Sequence, residues 1–145
     1  MRITFVGSVS VGKTTLVEAL SKLPQFKNYH IATERSKYLR DLGIPLNTDS
    51  TLKGQIIFGA ERASELMYEN LITDRSIIDV IAFTNLASSI GSDIREEFQN
   101  LYCNLIKEYD YIFYISSEGL PISSLYLGFI SRTPLSSIGN PSEDI

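Results

Sequence analysis

Residues 7–14 read Gly7-Ser8-Val9-Ser10-Val11-Gly12-Lys13-Thr14 and match G-x-x-x-x-G-K-[ST], the pattern of a phosphate-binding loop, or P-loop. Just before them, residues 3–6 (Ile-Thr-Phe-Val) are β-branched or aromatic, which predicts a short buried strand. Just after them, Leu16, Leu20 and Leu23 recur at i, i+4 and i+7, which predicts a helix with one apolar face. The chain therefore presents a strand, a glycine-rich turn and a helix in the order that this motif requires.

The backbone of this turn predicts an anion site. Gly7 and Gly12 permit dihedral angles and a close approach that a Cβ would block, so several N–H groups can point into one concavity. The following helix adds unpaired N–H groups and the positive end of its dipole. We expect Lys13 to reach the terminal phosphates of ATP as a point charge and the Thr14 hydroxyl to be a ligand of Mg²⁺. The predicted nucleotide-binding residues are Gly7, Ser8, Val9, Ser10, Val11, Gly12, Lys13, Thr14 and Thr15.

Composition is that of an ordinary globular protein. The 145 residues, 43% of them hydrophobic, suggest one domain with a normal core. A net charge of -4 and a pI of about 5.0 argue against a general nucleic-acid binder. A single cysteine, Cys103, and a single histidine, His30, argue against a disulfide framework and a histidine-based metal site. Because we find neither a signal-peptide pattern nor a membrane-spanning apolar run, we expect a cytoplasmic protein without a membrane partner.

The rest of the chain alternates between strand-like and helix-like segments. The segments are strands at 29–33, 70–73 and 109–115 and helices at 35–42, 51–69, 77–90 and from 93 onward. This alternation predicts a three-layer α/β fold of the P-loop NTPase type, with a parallel sheet of about four to five strands and helices on both faces. Composition changes after Ile115, where Ser, Gly and Pro become frequent. We therefore predict a domain at 1–122 and an atypical, partly disordered tail at 123–145, with a strand candidate at 125–130.

Two helices carry apolar stripes that predict their buried faces. In the helix at 51–69, which Asp49 or Ser50 could cap, Gln55 and Arg62 fall outside the stripe and are expected on an exposed face. The stripe there consists of Leu52, Ile56, Ala60, Ala63 and Met67. A D-x-x-E signal predicts that the next helix starts at Asp93. The apolar stripe of that helix consists of Ile94, Phe98, Leu101, Leu105 and Ile106.

Two acidic residues follow predicted strands, at the edge where open α/β sheets bind ligands. Asp74 ends the third segment and is the candidate acid beside the metal; the alternative is that it caps the following helix. Glu34 follows the second segment and is the candidate for orienting or deprotonating an acceptor hydroxyl; the alternative is a surface glutamate. We assign catalytic roles to Lys13, Glu34, Asp74 and Arg75, and metal ligation to Thr14 and Asp74.

Basic and amide side chains lie beside these acids. Arg35 and Arg75 could each clamp a substrate phosphate or carboxylate with a planar guanidinium, the alternative being a solvated arginine. Gln55 could bind an amide or base edge of the acceptor. Asp79 lies on an apolar helix, where an aspartate is rarely buried unless paired, so it could support Arg75.

Five features carry a resemblance to a known family: the P-loop, Thr33-Glu34-Arg35, residues 43–47, the Gln55 helix and Asp74-Arg75-Ser76-x-x-Asp79-x-x-Ala82-Phe83. Over roughly residues 1–122 they resemble the AAA-type ATPase domain of the nicotinamide-riboside-kinase kind, within the P-loop nucleoside/nucleotide kinase-like superfamily. They are also similar to deoxynucleoside kinases, where a Glu after strand two acts as base. The resemblance implies about five parallel strands and the use of ATP and Mg²⁺. The P-loop lacks the internal acidic or arginine residue of bacterial-type thymidylate kinases, which makes thymidylate a poorer acceptor.

Two functions fit this pattern. The first is a kinase that transfers the terminal phosphate of ATP to a nucleoside, nucleotide or related small metabolite. The second is a nucleotide-binding regulatory or interaction module with little or no transferase activity. A GTPase switch is disfavoured because the sequence has neither N-K-x-D nor D-x-x-G after a strand. Since the tail offers only Arg132 for a closing lid, we expect nucleotide binding to exceed phosphate transfer.

Overall fold

The structure, a computed structural model, describes residues 1–8, 10–33, 36–45, 49–116 and 128–129. The strands are β1 Arg2–Gly7, β2 His30–Ala32, β3 Leu71–Thr73, β4 Tyr111–Ile115 and β5 Gly128–Phe129. The α-helices are α1 Lys13–Ser21, α2 Ser36–Asp41, α3 Leu52–Glu65, α4 Ile77–Leu86 and α5 Ser92–Ile106, and Pro24–Phe26 forms a 3-10 turn. None of the helices in these ranges is long and apolar enough to cross a membrane.

The five strands form one sheet in the order β2-β3-β1-β4-β5. The first four are parallel, as predicted, and β1 is central because Ile3 pairs with Ile72 on one side and with Tyr111 on the other. The two-residue strand β5 lies within the predicted segment 125–130 and pairs antiparallel with β4. Most of the predicted tail at 123–145 falls outside the described residues, so the domain boundary stays a prediction.

Apolar residues pack on both faces of the sheet, which gives the three-layer arrangement that the alternation predicts. Consecutive residues of a strand point to opposite faces, so Leu71 and Ile72 enter different clusters. The cluster that includes α1 consists of Ile3, Phe5, Val17, Ile72 and Ile115. The cluster beneath α3, α4 and α5 consists of Ala32, Leu66, Leu71, Ile77, Val80, Phe98, Tyr102 and Tyr109.

The predicted stripe of α3 is wrong except at Ala63, which packs against the core, because polar and glycine residues form the buried face. Ile56 is 51% exposed and Met67, just beyond the helix, is 83% exposed. The buried residues of the helix are Gly54, Gln55, Gly59 and Arg62. Thr51, and neither Asp49 nor Ser50, caps the helix by accepting a hydrogen bond from the Gly54 N–H at 3.2 Å.

The two helices after β3 also depart from the predicted ends. Helix α4 ends at Leu86 because Ala87 leaves the helical region at ψ 117°, and Gly91 is the N-cap of α5. In α5 the buried side chains are Phe98 and Tyr102, whereas Leu101 is 68% exposed. Tyr102 therefore occupies the buried position that the stripe had given to Leu101.

Candidate nucleotide and acceptor site

The P-loop connects the central strand to the first helix. Strand β1 ends at Gly7, and α1 begins at Lys13, directly after Gly12. Gly7 and Gly12 have φ angles of 147° and 86°, in the region that favours glycine. Ser10 also has a positive φ, of 64°, which the sequence pattern did not predict. Val9 lies outside the described residues.

Lys13 is held in the loop by the loop's own backbone. Its ammonium donates hydrogen bonds to the carbonyl oxygens of Gly7 at 2.8 Å and Ser8 at 2.6 Å, and the side chain is buried. An alkylammonium removed from water needs such acceptors. The cation is therefore fixed beside the concavity in which a phosphate chain would lie.

Thr14 and Asp74 come together across the edge of the sheet. Thr14 is in the first turn of α1, Asp74 directly follows β3, and the Thr14 hydroxyl donates a hydrogen bond to Asp74 Oδ2. Asp74 is 1% exposed, and its Oδ1 has no hydrogen-bond partner among the described residues. The alternative role of Asp74 as a helix cap is wrong, because Ser76 caps α4.

This donor set fits Mg²⁺. The hydroxyl of Thr14 and the buried carboxylate of Asp74, whose Oδ1 has no partner among the described residues, are hard oxygen ligands. Mg²⁺ is usually bound by one or two carboxylates together with phosphate and water oxygens. In the described part of the chain no group of three or more His, Cys, Asp and Glu side chains could form a complete metal cage. A metal here would therefore need further oxygens from a nucleotide and from water.

Arg75 and Asp79 form a buried ion pair at the N-terminus of α4. Arg75 Nη1 lies 3.3 Å from Asp79 Oδ1, and the guanidinium carbon lies 5.8 Å from the centre of the Phe83 ring. Both charged residues are buried, as expected for a supporting role of Asp79. The ion pair therefore holds the guanidinium at the start of α4.

Asp79 also completes the N-terminal cap of α4. Its Oδ2 accepts from the Ser76 N–H at 2.8 Å, and Ser76 Oγ accepts from the Ile78 N–H at 3.1 Å, so the two residues form a capping box. Burial raises the pKa of the Asp79 carboxyl above its ordinary value of 3.8, although the Ser76 hydrogen bonds and the charges of Arg75 and Lys13 act to lower it.

Gln55 and Arg62 are buried, so the expected exposed face is wrong for both. Gln55 is 4% exposed, and its Oε1 accepts a hydrogen bond of 3.4 Å from Thr84 on α4. Arg62 is 1% exposed and pairs with Glu65 at 2.8 Å. The partners of Gln55 and Arg62 explain their burial, and the sequence pattern had not indicated Thr84.

The remaining predicted site residues are untested. Glu34 and Arg35 lie outside the described residues, between β2 and α2. Their assignments as acceptor base and clamp stay predictions from the sequence.

No protein-family model matches the sequence, and no curated protein matches it. Among solved structures, deoxyadenosine kinase from M. mycoides with dCMP and dCDP superposes with a TM-score of 0.56 and 24% identity, over 79% of this chain and 62% of that one. NadR in complex with NR gives a TM-score of 0.59 and 21% identity, over 84% of this chain and 34% of that one. Thymidylate kinase from Ehrlichia chaffeensis gives a TM-score of 0.53 and 18% identity, over 86% of this chain and 90% of that one.

These likenesses concern the fold. The chain spans less than two thirds of the length of the deoxyadenosine kinase and about a third of NadR. Together with the parallel sheet and the strand–P-loop–helix order, the superpositions show a three-layer α/β fold of the kind found in P-loop nucleoside and nucleotide kinases.

Proposed function

We propose that the protein is an ATP- and Mg²⁺-dependent P-loop kinase that phosphorylates a hydroxyl group of a nucleoside, nucleotide or related small metabolite. The observation that carries the proposal is the contact between the Thr14 hydroxyl and buried Asp74, with Asp74 Oδ1 unpartnered among the described residues. The buried ammonium of Lys13 lies in the same loop. A hydroxyl, a carboxylate and a cation are the groups that hold a metal-bound phosphate chain.

Each residue then has a distinct role. The loop N–H groups of residues 7–15 and the Lys13 ammonium would bind the phosphates, and Thr14 with Asp74 would hold Mg²⁺, which neutralises charge on the phosphates. Arg75, which directly follows Asp74 in the sequence, keeps the predicted role of a clamp on the substrate. Glu34, Arg35 and Gln55 keep the base, clamp and acceptor-binding roles that the sequence predicts.

The proposed reaction is a phosphoryl transfer. The acceptor oxygen forms a bond to the terminal phosphorus as the bond to the bridging oxygen breaks, and ADP departs with that electron pair. The acceptor proton passes to a base, for which Glu34 is the candidate. The shared fold with the deoxyadenosine kinase and with NadR in complex with NR supports a nucleoside-like acceptor for the proposed kinase.

The first test is nucleotide binding. Lys13→Ala should weaken Mg²⁺·ATP binding about ten- to a hundredfold, because a hydrogen bond to a charged group contributes about 1.5–3 kcal/mol. The matched control is Lys22→Ala, which removes an exposed lysine at the end of α1. Calorimetric titration measures both affinities, and equal ATP affinities in the two variants would contradict the proposal.

The second test separates a kinase from a nucleotide-binding module. ADP release is measured with and without each of a panel of nucleosides, nucleoside monophosphates and nicotinamide riboside. A kinase releases ADP faster when its acceptor is present. ATP binding without any acceptor-dependent release would favour the regulatory or interaction module.

A further inference from the structure

An open hollow lies at the edge of the sheet opposite the P-loop. Its volume is about 430 Å³, within the range of small-molecule sites, and residues 27–30 and 68–70, which lead into β2 and β3, line it. His30 pairs with Leu71, which in turn pairs with Arg2 at the start of β1. Because Gly7 lies five residues further along β1, about 16 Å of strand separates the hollow from the P-loop.

One wall of the hollow is a pair of stacked aromatic rings. The rings of His30 and Tyr68 are parallel to within 4°, and their centres are 3.7 Å apart. Both residues line the hollow, and Tyr68 is 47% exposed. Since His30 covers one face of the Tyr68 ring, a flat group that enters the hollow meets the exposed remainder of that ring. An aromatic ligand can therefore extend the stack.

The backbone holds this wall in place. The His30 N–H donates a hydrogen bond to the Asn70 carbonyl oxygen at 2.8 Å, and the Tyr68 N–H donates to the Glu65 carbonyl oxygen at 3.1 Å. The Tyr68 carbonyl oxygen accepts from Arg2 Nε at 2.9 Å. Because both rings are attached to hydrogen-bonded backbone, a ligand does not have to order the segments that carry them, which lowers the cost of binding.

Side chains of opposite charge also line the hollow. Lys27 and Glu69 are exposed, and among the described residues neither of them forms an ion pair. The Met1 ammonium does not line the hollow, because it donates to the Glu69 carbonyl oxygen and to Asn70 Oδ1. The hollow thus presents one cation, one anion and a ring stack, with no excess of either charge.

We propose that this hollow binds a free aromatic α-amino acid in its zwitterionic form, at a site separate from the nucleotide site and independent of the proposed kinase function. The ligand's ring stacks on Tyr68, its carboxylate accepts from the Lys27 ammonium, and its ammonium donates to the Glu69 carboxylate. A nucleotide fits less well, because Glu69 offsets the attraction of Lys27 for a phosphate. A residue inside a peptide fits less well because it lacks both charges.

The test uses four probes that share parts of one structure: L-phenylalanine, L-alanine, phenethylamine and 3-phenylpropionate. L-Alanine lacks the ring, phenethylamine lacks the carboxylate, and 3-phenylpropionate lacks the ammonium. Each probe is titrated into the full chain at millimolar concentration. NMR shifts of the backbone amides of residues 27–30 and 68–70 report binding in the hollow, and those of residues 7–15 report the P-loop in the same spectra.

We expect L-phenylalanine to bind most tightly. L-Alanine should bind about tenfold or more weakly, because it loses the stacked ring. The other two probes should bind about two- to fivefold more weakly, because an exposed ion pair contributes little. Lys27→Gln should remove the advantage of L-phenylalanine over phenethylamine, and Glu69→Gln should remove its advantage over 3-phenylpropionate.

The aromatic wall is tested with three variants. Tyr68→Ala should weaken L-phenylalanine binding about tenfold, and Tyr68→Phe, which keeps the ring, should bind as the wild type does. The matched control is Tyr38→Ala, which removes a tyrosine of α2 that is also 47% exposed and should leave the affinity unchanged.

Three results would overturn the inference. They are unshifted amides at residues 27–30 and 68–70 with L-phenylalanine, equal affinities for L-phenylalanine and L-alanine, and charge variants at Lys27 and Glu69 that affect all four probes alike. None of these results bears on the proposed function, which is tested by ATP binding at the P-loop.

Discussion

Gly7 lies against Ile115 where the two central strands end together. The two residues pair across the β1–β4 ladder, and a Cβ added to Gly7 would lie inside the van der Waals surface of the Ile115 carbonyl oxygen and 3.2 Å from its carbonyl carbon. Gly7 also has a φ angle of 147°. The first residue of the P-loop is therefore a glycine for two independent reasons, a backbone contact and a backbone conformation.

Gly7→Ala should lower the free energy of unfolding by about 2 kcal/mol or more and also weaken ATP binding, because β1 and β4 must separate to admit the methyl group. Urea denaturation and calorimetric titration measure the two effects. Gly91→Ala is the control, since Gly91 has an ordinary φ of -67° and open space around it, and it should cost less than about 1 kcal/mol. Equal losses in the two variants would show that the contact with Ile115 is unimportant.

The fold could be predicted because its signals are local. The P-loop pattern lies between a strand and a helix, and the strand and helix segments alternate, which fixes parallel pairing without any knowledge of distant contacts. Ligands of open α/β sheets bind beyond the carboxyl ends of the strands, and this general rule predicted a site that includes Asp74. The structure places Asp74 in contact with Thr14 at that edge. These predictions needed only residue types and their spacing along the chain.

The buried face of α3 could not be predicted in this way. Gln55 and Arg62 look like surface residues, but both have partners inside the protein. Gln55 meets Thr84 on another helix, which the pattern does not reveal. Arg62 pairs with Glu65 three positions further along α3. Gly59 is buried because Tyr102, 43 positions later, packs onto it. Long-range polar and aromatic partners overrode the apolar periodicity, and Ile56 remained exposed.

Asp74→Asn should remove most of the contribution of Mg²⁺ to ATP binding. The amide has one oxygen and no charge, so it is a weaker ligand for a hard cation than the buried carboxylate. ATP affinity without Mg²⁺ should not fall, because a negative charge near the phosphates has been removed. Titrations with and without Mg²⁺ measure the factor by which the metal raises ATP affinity, and this factor should be about tenfold or more smaller in the variant than in the wild type.

The control for this variant is Asp93→Asn, an exposed aspartate in the first turn of α5. It should leave both ATP affinities unchanged. If Asp74→Asn keeps the full Mg²⁺ effect while Asp93→Asn behaves as expected, then Asp74 is not a metal ligand.

Gly59→Ala should destabilise the protein although glycine is a poor helix former. A Cβ on Gly59 would lie 2.5 Å from Cζ of Tyr102, so either the buried Tyr102 ring or the two helices would have to move. We expect the free energy of unfolding to fall by about 1–3 kcal/mol, after a gain of about 1 kcal/mol from the higher helix propensity of alanine has been included. Ala60→Gly, at the neighbouring exposed position, measures that propensity in the same helix. A stabilised Gly59→Ala protein in urea denaturation would contradict the close contact with Tyr102.

The last prediction concerns the pH dependence of stability at Asp79. Burial raises the pKa of this carboxyl in the folded protein above its ordinary value of 3.8, so the native state holds the proton more tightly than the unfolded chain. Stability from this group is then complete below that ordinary value and is lost as pH rises through the higher folded value. The charged groups that oppose the shift are Arg75 and Lys13.

Asp79→Asn cannot titrate, so its free energy of unfolding minus that of the wild type should increase as the pH rises from 4 toward neutrality. The difference removes the contributions of all other groups that titrate alike in both proteins. Urea denaturation of both proteins at several pH values measures it. A difference that decreases with pH would mean that Arg75 and Ser76 hold the Asp79 carboxylate ionised more strongly than burial opposes it.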